Sequence, residues 1–136
     1  MNRRELIDRL RSLSLPKEEY WLIAGGAMVL YGVRAQTHDI DLGCSRALAD
    51  RLEAEGYPAE RMKNGHRRFL LGADVEIFEA WLYDRVETLD GLPVISLDGL
   101  VQMKQSLGRE KDLRDLAAIR EYRKRQSVCN QNRSTP

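Results

Sequence analysis

Tyr20-Trp21-Leu22-Ile23-Ala24-Gly25-Gly26, followed after twelve residues by Asp39-Ile40-Asp41-Leu42, is the stretch on which the reading of this chain turns. Its first half is a nearly continuous apolar run ending in two glycines, the pattern of a buried central strand that runs into a turn. Ala27 to Tyr31 then reads as a helix ended by Gly32. The polar link from Arg34 to His38 leads into the second half, where acidic and apolar residues alternate with the period of a strand. Asp39 and Asp41 therefore leave one face, while Ile40 and Leu42 turn to the core.

Outward from this stretch, Leu6, Ile7, Leu10 and Leu13 form one apolar stripe of an N-terminal surface helix, stopped by Pro16. Ser45 caps a helix through Leu52 and Ala54 that closes at Gly56. His66 to Leu71 and Asp74 to Phe78, broken by Gly72-Ala73, read as a hairpin. A charged connection leads to a short strand at Pro93-Val94-Ile95. Ser96 caps a helix from about Leu97 to Leu107, Gly108 breaks it, and a last helix runs from about Glu110 to Arg123. Interleaved strands and helices give an α+β or mixed α/β class, a small mixed sheet flanked by helices.

The chain has 136 residues, 43% hydrophobic and 32% charged, enough for one compact domain with a real core. A single domain over residues 1–125 is expected, with 126–136 a polar, disordered tail. The 22 basic residues almost cancel the 21 acidic ones. A net charge of +1 gives no general field for nucleic acid or an acidic membrane. No apolar run approaches the roughly 20 residues that span a bilayer, and the start does not read as a signal peptide, so a cytoplasmic protein without membrane attachment is expected. Cys44 and Cys129 form neither a disulfide framework nor a zinc-like pair.

Two like charges side by side on a strand repel unless a cation lies between them, and hard divalent cations take oxygen ligands of this kind. Asp74 and Glu76 repeat the spacing on a second apolar strand, a source of a third carboxylate if the strands are neighbours. Three such carboxylates would suit a two-metal site for phosphoryl chemistry. A lone Asp-x-Asp more often marks a solvated strand edge, and its context is what lifts it here. Gly25-Gly26 opens a helix whose bare N–H groups can hold phosphate oxygens, although turn formation explains two glycines equally well. Lys104 shares a helix face with Leu97, Leu100, Val101 and Leu107. The ordinary reading is a stem that packs while its ammonium reaches water; the functional one is a cation facing the carboxylates or a triphosphate. Arg109 with Asp112 or Asp115 reads as a helix-end ion pair, and the two aspartates are also placed to orient Lys104. Arg61, Lys63, Arg67 and Arg68 form one basic cluster and Arg120, Arg123, Lys124 and Arg125 another. Both read first as solvated faces and second as contacts to RNA or a nucleotide.

The segment from Ala24-Gly25-Gly26 through Arg34, Thr37 and Asp39-Ile40-Asp41-Leu42 resembles the signature of the polymerase-β-like nucleotidyltransferase superfamily. It is most similar to the small bacterial members, among them minimal, abortive-infection and toxin–antitoxin nucleotidyltransferases. Leu97-Asp98-Gly99-Leu100-Val101-Gln102-Met103-Lys104 and Gly108-Arg109-Glu110-Lys111-Asp112-Leu113-Arg114-Asp115 are similar to the later segment of that subgroup, so the likeness spans roughly residues 20 to 120. The resemblance implies transfer of a nucleoside monophosphate from a nucleoside triphosphate to an acceptor hydroxyl, with pyrophosphate released. It implies Mg²⁺ or Mn²⁺ on Asp39 and Asp41, with Glu76 as the third, catalytic carboxylate and Asp74 as second choice, because Val75-Glu76-Ile77-Phe78 fits the family's strand better. The family more often has Asp there. Gly25, Gly26, Arg34, Thr37 and Lys104 become nucleotide-binding residues. The implied acceptor is a partner protein, a tRNA end or a small molecule such as an antibiotic, and a homodimer is one assembly in view. A chain this short would leave grip on the acceptor to a partner. The competing expectation is a catalytically inactive nucleotide-binding or antitoxin-like subunit on the same fold.

Overall fold

The computed structural model describes the backbone of residues 1–133 and the side chains of residues 1–128. The chain divides into two compact units, Met1–Leu100 and a second beginning at Val101.

The first unit holds the sheet. In chain order its elements are α1 (Arg3–Ser12), β1 (Tyr20–Ile23), α2 (Ala24–Tyr31), β2 (Ile40–Cys44), α3 (Arg46–Ala54), β3 (Glu60–Arg61), β4 (Arg67–Leu71), β5 (Val75–Glu79), β6 (Val86–Leu89) and β7 (Leu92–Ile95). Helix α4 (Leu97–Leu107) begins here and continues into the second unit, which is otherwise helix α5 (Glu110–Arg133). The strands form one mixed sheet in the order β3-β4-β5-β2-β1-β7-β6. β2 lies at its middle, antiparallel to β1 and parallel to β5. The mixed α+β class expected from the sequence is the class observed.

Local chemistry fixes the helix starts. Asn2 accepts from the Glu5 N–H while Glu5 accepts from the Asn2 N–H, a reciprocal cap that begins α1. Ser45 accepts from the Leu48 N–H at the start of α3, and Ser96 from the Gly99 N–H at the start of α4. One sheet face carries Leu22, Ile40, Leu42, Phe69, Val75 and Ile77, all at most 1% exposed. Helix α2 packs on this face so closely that a Cβ on Gly26 would stand 2.8 Å from the Leu22 side chain. From α3, Asp50 and Glu53 reach Arg67, and from α1, Arg9 ties to Asp74. Burying each apolar side chain of that face contributes about 1.5–3 kcal/mol.

Four local expectations differ. Helix α2 begins at Ala24, so Gly25 and Gly26 lie in its first turn. Asp39 stands just before β2 and not within it. Strand β6 replaces a supposed connection: Asp90 and Gly91 both have positive φ, 51° and 73°, and fold β6 tightly back on β7. Helix α5 runs to Arg133, with no glycine or proline in Gln126–Arg133 to stop a helix already nucleated. That is ten residues beyond the Arg123 expected as its end, and residues 134–136 of the expected polar tail lie outside the described residues.

Candidate active site

The open face of the sheet is set by register. Asp41 is the Cα partner of Ile23 on β1 and of Glu76 on β5. Since partners in register share a face, Asp41 and Glu76 emerge side by side, opposite to Leu42 and Ile77. Asp41 and Glu76 are half-buried, and Asp39, two residues upstream, is exposed.

Ile23 is also the residue that caps α2, with no side-chain hydrogen bond to the helix's first N–H groups. The positive end of the helix thus begins one strand away from Asp41. Ala24 starts the turn with φ 54°, a conformation that is costly for a residue with a Cβ. Gly25 comes next, and its bareness has a steric reason. A Cβ there would stand 2.7 Å from Thr37 Oγ1 and 3.0 Å from Arg34 Nη1. Three of the expected nucleotide-side residues, Gly25, Arg34 and Thr37, therefore meet. Thr37 is 8% exposed; its hydroxyl donates to the Asp39 carbonyl at 3.0 Å, and its own carbonyl accepts from the N-terminal ammonium at 2.7 Å. This pins the approach to the acidic strand. Gly26, by contrast, serves packing against Leu22.

Two residues, Asp74 and Glu76, compete for the place of the third carboxylate. Asp74 is engaged by Arg9 through two hydrogen bonds of 2.8 and 3.0 Å, and these hold its carboxyl below the usual range. Glu76 is the one beside Asp41, but it too has a partner. Arg68 Nε and Nη2 both lie 3.0 Å from Glu76 Oε2, and Arg68 Nη1 donates to Glu60 at 2.7 Å. Burial works against the charge on Arg68, and its hydrogen bonds to Glu76 and then Glu60 outweigh that, leaving its pKa raised. Among the described residues no three His, Cys, Asp or Glu side chains converge enough to enclose a metal ion. The hard oxygens of Asp39 and Asp41 suit a divalent cation; Glu76, turned to a guanidinium, does not join them in this arrangement.

Next along the same face runs an aromatic row. Trp21 is paired in register with Gly43 and lies directly over it, so that a Cβ on Gly43 would overlap the indole. The indole N–H donates to the Trp81 carbonyl at 2.9 Å, and Phe78 meets Trp81 edge-on with ring centres 4.9 Å apart. Arg68 stands 6.0 Å from the centre of the Phe78 ring.

The basic cluster at Arg67 and Arg68 is not a solvated face. Arg67 is 7% exposed and bonds Glu79 through Nε and Nη2, at 3.1 and 2.7 Å. Glu79 is lowered to about 2, first by that side-chain bond. Sequence reasoning missed these partners because each depends on strand register.

Lys104 belongs to the second unit and is accounted for there. It is 4% exposed, with Nζ 2.9 Å from Asp115 and 3.4 Å from Asp112, so its ammonium is held in an ion pair and not carried out on a solvent-facing stem. Arg109 bonds Asp112 at 2.6 Å and holds its carboxyl low, but Asp112 is fully buried, unlike the exposed pair expected.

No family model matches this chain, and no curated protein matches it. Solved structures do. A Thermotoga maritima protein assigned as a nucleotidyltransferase aligns over 86% of this chain and 93% of its own, with 21% identity and a TM-score of 0.59. A lincosamide antibiotic adenylyltransferase with lincomycin bound aligns over 85% and 92%, with 13% identity and a TM-score of 0.54. The fold is thus nucleotidyltransferase-like. Among the described residues no helix is long and apolar enough to cross a membrane.

Proposed function

We propose that this chain transfers a nucleoside monophosphate from a nucleoside triphosphate to an acceptor hydroxyl. The observation that carries the reading is the register Ile23–Asp41–Glu76, which sets an uncapped helix N-terminus beside two carboxylates on a nucleotidyltransferase-like sheet. In this reading the first N–H groups of α2 take phosphate oxygens, with Arg34 and Thr37 shaping the loop beside them. Asp39 and Asp41 would hold Mg²⁺ or Mn²⁺. When bound, a divalent ion there would supply charge neutralisation at the α-phosphate and would acidify the acceptor hydroxyl. The acceptor hydroxyl gives up its proton to water, its oxygen bonds to the α-phosphorus as the bond to the bridging oxygen breaks, and pyrophosphate leaves. The half-buried aromatic row one step along the strands favours an acceptor with an apolar body, and hence a small molecule over a tRNA end or a partner protein. A role in a toxin–antitoxin or defence system, and a homodimer, remain further proposals on the same fold.

One observation favours the second reading, a nucleotide-binding subunit without turnover: Glu76 is occupied by Arg68. A single experiment separates the two. The protein is incubated with each α-labelled triphosphate, Mg²⁺ and a host-cell lysate, and labelled products are resolved by size. Label transferred by the wild type and not by Asp41→Asn supports the enzyme. Binding of the triphosphate without transfer supports the subunit.

A further inference from the structure

Glu76 occupies the third-carboxylate position, and the surroundings explain why it is glutamate. Across β4, its direct partner is Leu70, and Arg68 lies two residues along, a diagonal neighbour. Diagonal pairs are reached by long side chains and missed by short ones. The extra methylene of glutamate closes that gap, with two nitrogens of Arg68 at 3.0 Å from Oε2. Arg68 is fixed from the other sides as well. Glu60 is its register partner on β3 and accepts at 2.7 Å, and Phe78 is its register partner on β5, with the guanidinium 6.0 Å from the ring centre. A cation held by two carboxylates and an aromatic face, with its side chain 25% exposed, is a built element of the site and no wandering surface arginine.

We infer that Arg68 takes the place of a second metal ion at Glu76, so that this chain holds one divalent cation, on Asp39 and Asp41, with the fixed guanidinium as the other positive charge. The inference rests on the proposed reading of Asp39 and Asp41 as ligands. Its physical basis is charge: a divalent ion at Glu76 would stand within a few ångströms of a guanidinium and would have to drive it from Glu76. Arg68 is a positioning residue, holding Glu76 and fixing a charge beside Asp41.

The test counts ions and does not require turnover. Mn²⁺ is titrated into the protein alone, and the free-ion EPR signal is followed, with circular dichroism as the check on folding. Wild type and Arg68→Lys, which keeps the charge, are expected to bind one ion per chain. Arg68→Gln is expected to bind a second, which Arg68→Gln combined with Glu76→Gln loses again. Glu60→Gln, which loosens Arg68 without removing it, serves if Arg68→Gln fails to fold; it should bring a weaker second ion. Two ions in the wild type, or one in folded Arg68→Gln, would overturn the inference. Uptake of no ion by the wild type would overturn both it and the metal part of the proposed function. One ion in the wild type and two in Arg68→Gln, without nucleotidyl transfer, would sink the enzyme reading and leave this inference standing.

Discussion

Replacing Glu79 by Gln removes a charge from the most buried ion pair of the sheet while keeping its shape. Glu79 is 8% exposed and accepts from the Arg67 backbone N–H at 2.9 Å as well as from two guanidinium nitrogens. Its carboxyl lies at about 2 against an ordinary 4.5, chiefly through the Arg67 side chain. At about 1.4 kcal/mol per pH unit of displacement, that corresponds to roughly 3 kcal/mol of native-state stability. The folded value is the depressed one, so this stability is present above pH 4.5 and fades as pH falls toward 2. Asp50 at 2.8 Å and Glu53 at 3.4 Å stay beside Arg67 in the variant and keep the loss from growing larger. Urea unfolding of both proteins across pH 7 to 2.5 measures the gap. It is expected to be about 3 kcal/mol at neutral pH and to shrink steadily below pH 4.5. A gap under about 1 kcal/mol at pH 7, or one that does not narrow with acid, would refute the assignment of Arg67 and Glu79 as a stabilising buried pair.

Three further substitutions follow from the geometry. Gly25→Ala puts a methyl group against Thr37 and Arg34; triphosphate affinity measured by calorimetry should fall at least several-fold, with about 1–3 kcal/mol lost in stability from overpacking. Gly43→Ala displaces the Trp21 indole from its seat and from the Trp81 carbonyl, and since Trp21 and Trp81 are the chain's two tryptophans, emission should shift to the red. Unshifted emission would mean that the indole does not lie on Gly43. Lys104→Met leaves Asp115 without its ammonium while Arg109 still holds Asp112, and thermal or urea unfolding should show a loss of up to about 3 kcal/mol. A loss within experimental error would return the lysine to a role outside this ion pair.

The alternation of Asp39-Ile40-Asp41-Leu42 was readable because one face of β2 is buried, and the capped starts of α3 and α4 were readable because Ser45 and Ser96 act on their own neighbours. Local chemistry leaves local marks. The β6–β7 hairpin was missed although Asp90-Gly91 is a turn-forming pair, because the charged residues before it read as a connection. Arg109 with Asp112, and Lys104 with Asp112 and Asp115, were legible because the partners are near in sequence, but the ion pairs of the sheet were not. That Glu76 meets Arg68, Glu79 meets Arg67 and Asp74 meets Arg9 follows from strand register and from the packing of α1, which a basic cluster read along the chain does not reveal. The same holds for Gly25, whose need to be glycine arises from Thr37 and Arg34 across a loop.

Asp39 and Asp41, beside the start of α2, are proposed to hold a triphosphate through a divalent ion. Calorimetric titration of a non-hydrolysable nucleoside triphosphate into the wild type and into Asp39→Asn/Asp41→Asn, each with Mg²⁺ and with EDTA, tests it directly. Binding is expected in the wild type only with Mg²⁺, with a loss of at least about tenfold, roughly 1.4 kcal/mol, in the double variant. Equal affinity in EDTA, or an unchanged affinity in the double variant, would contradict it.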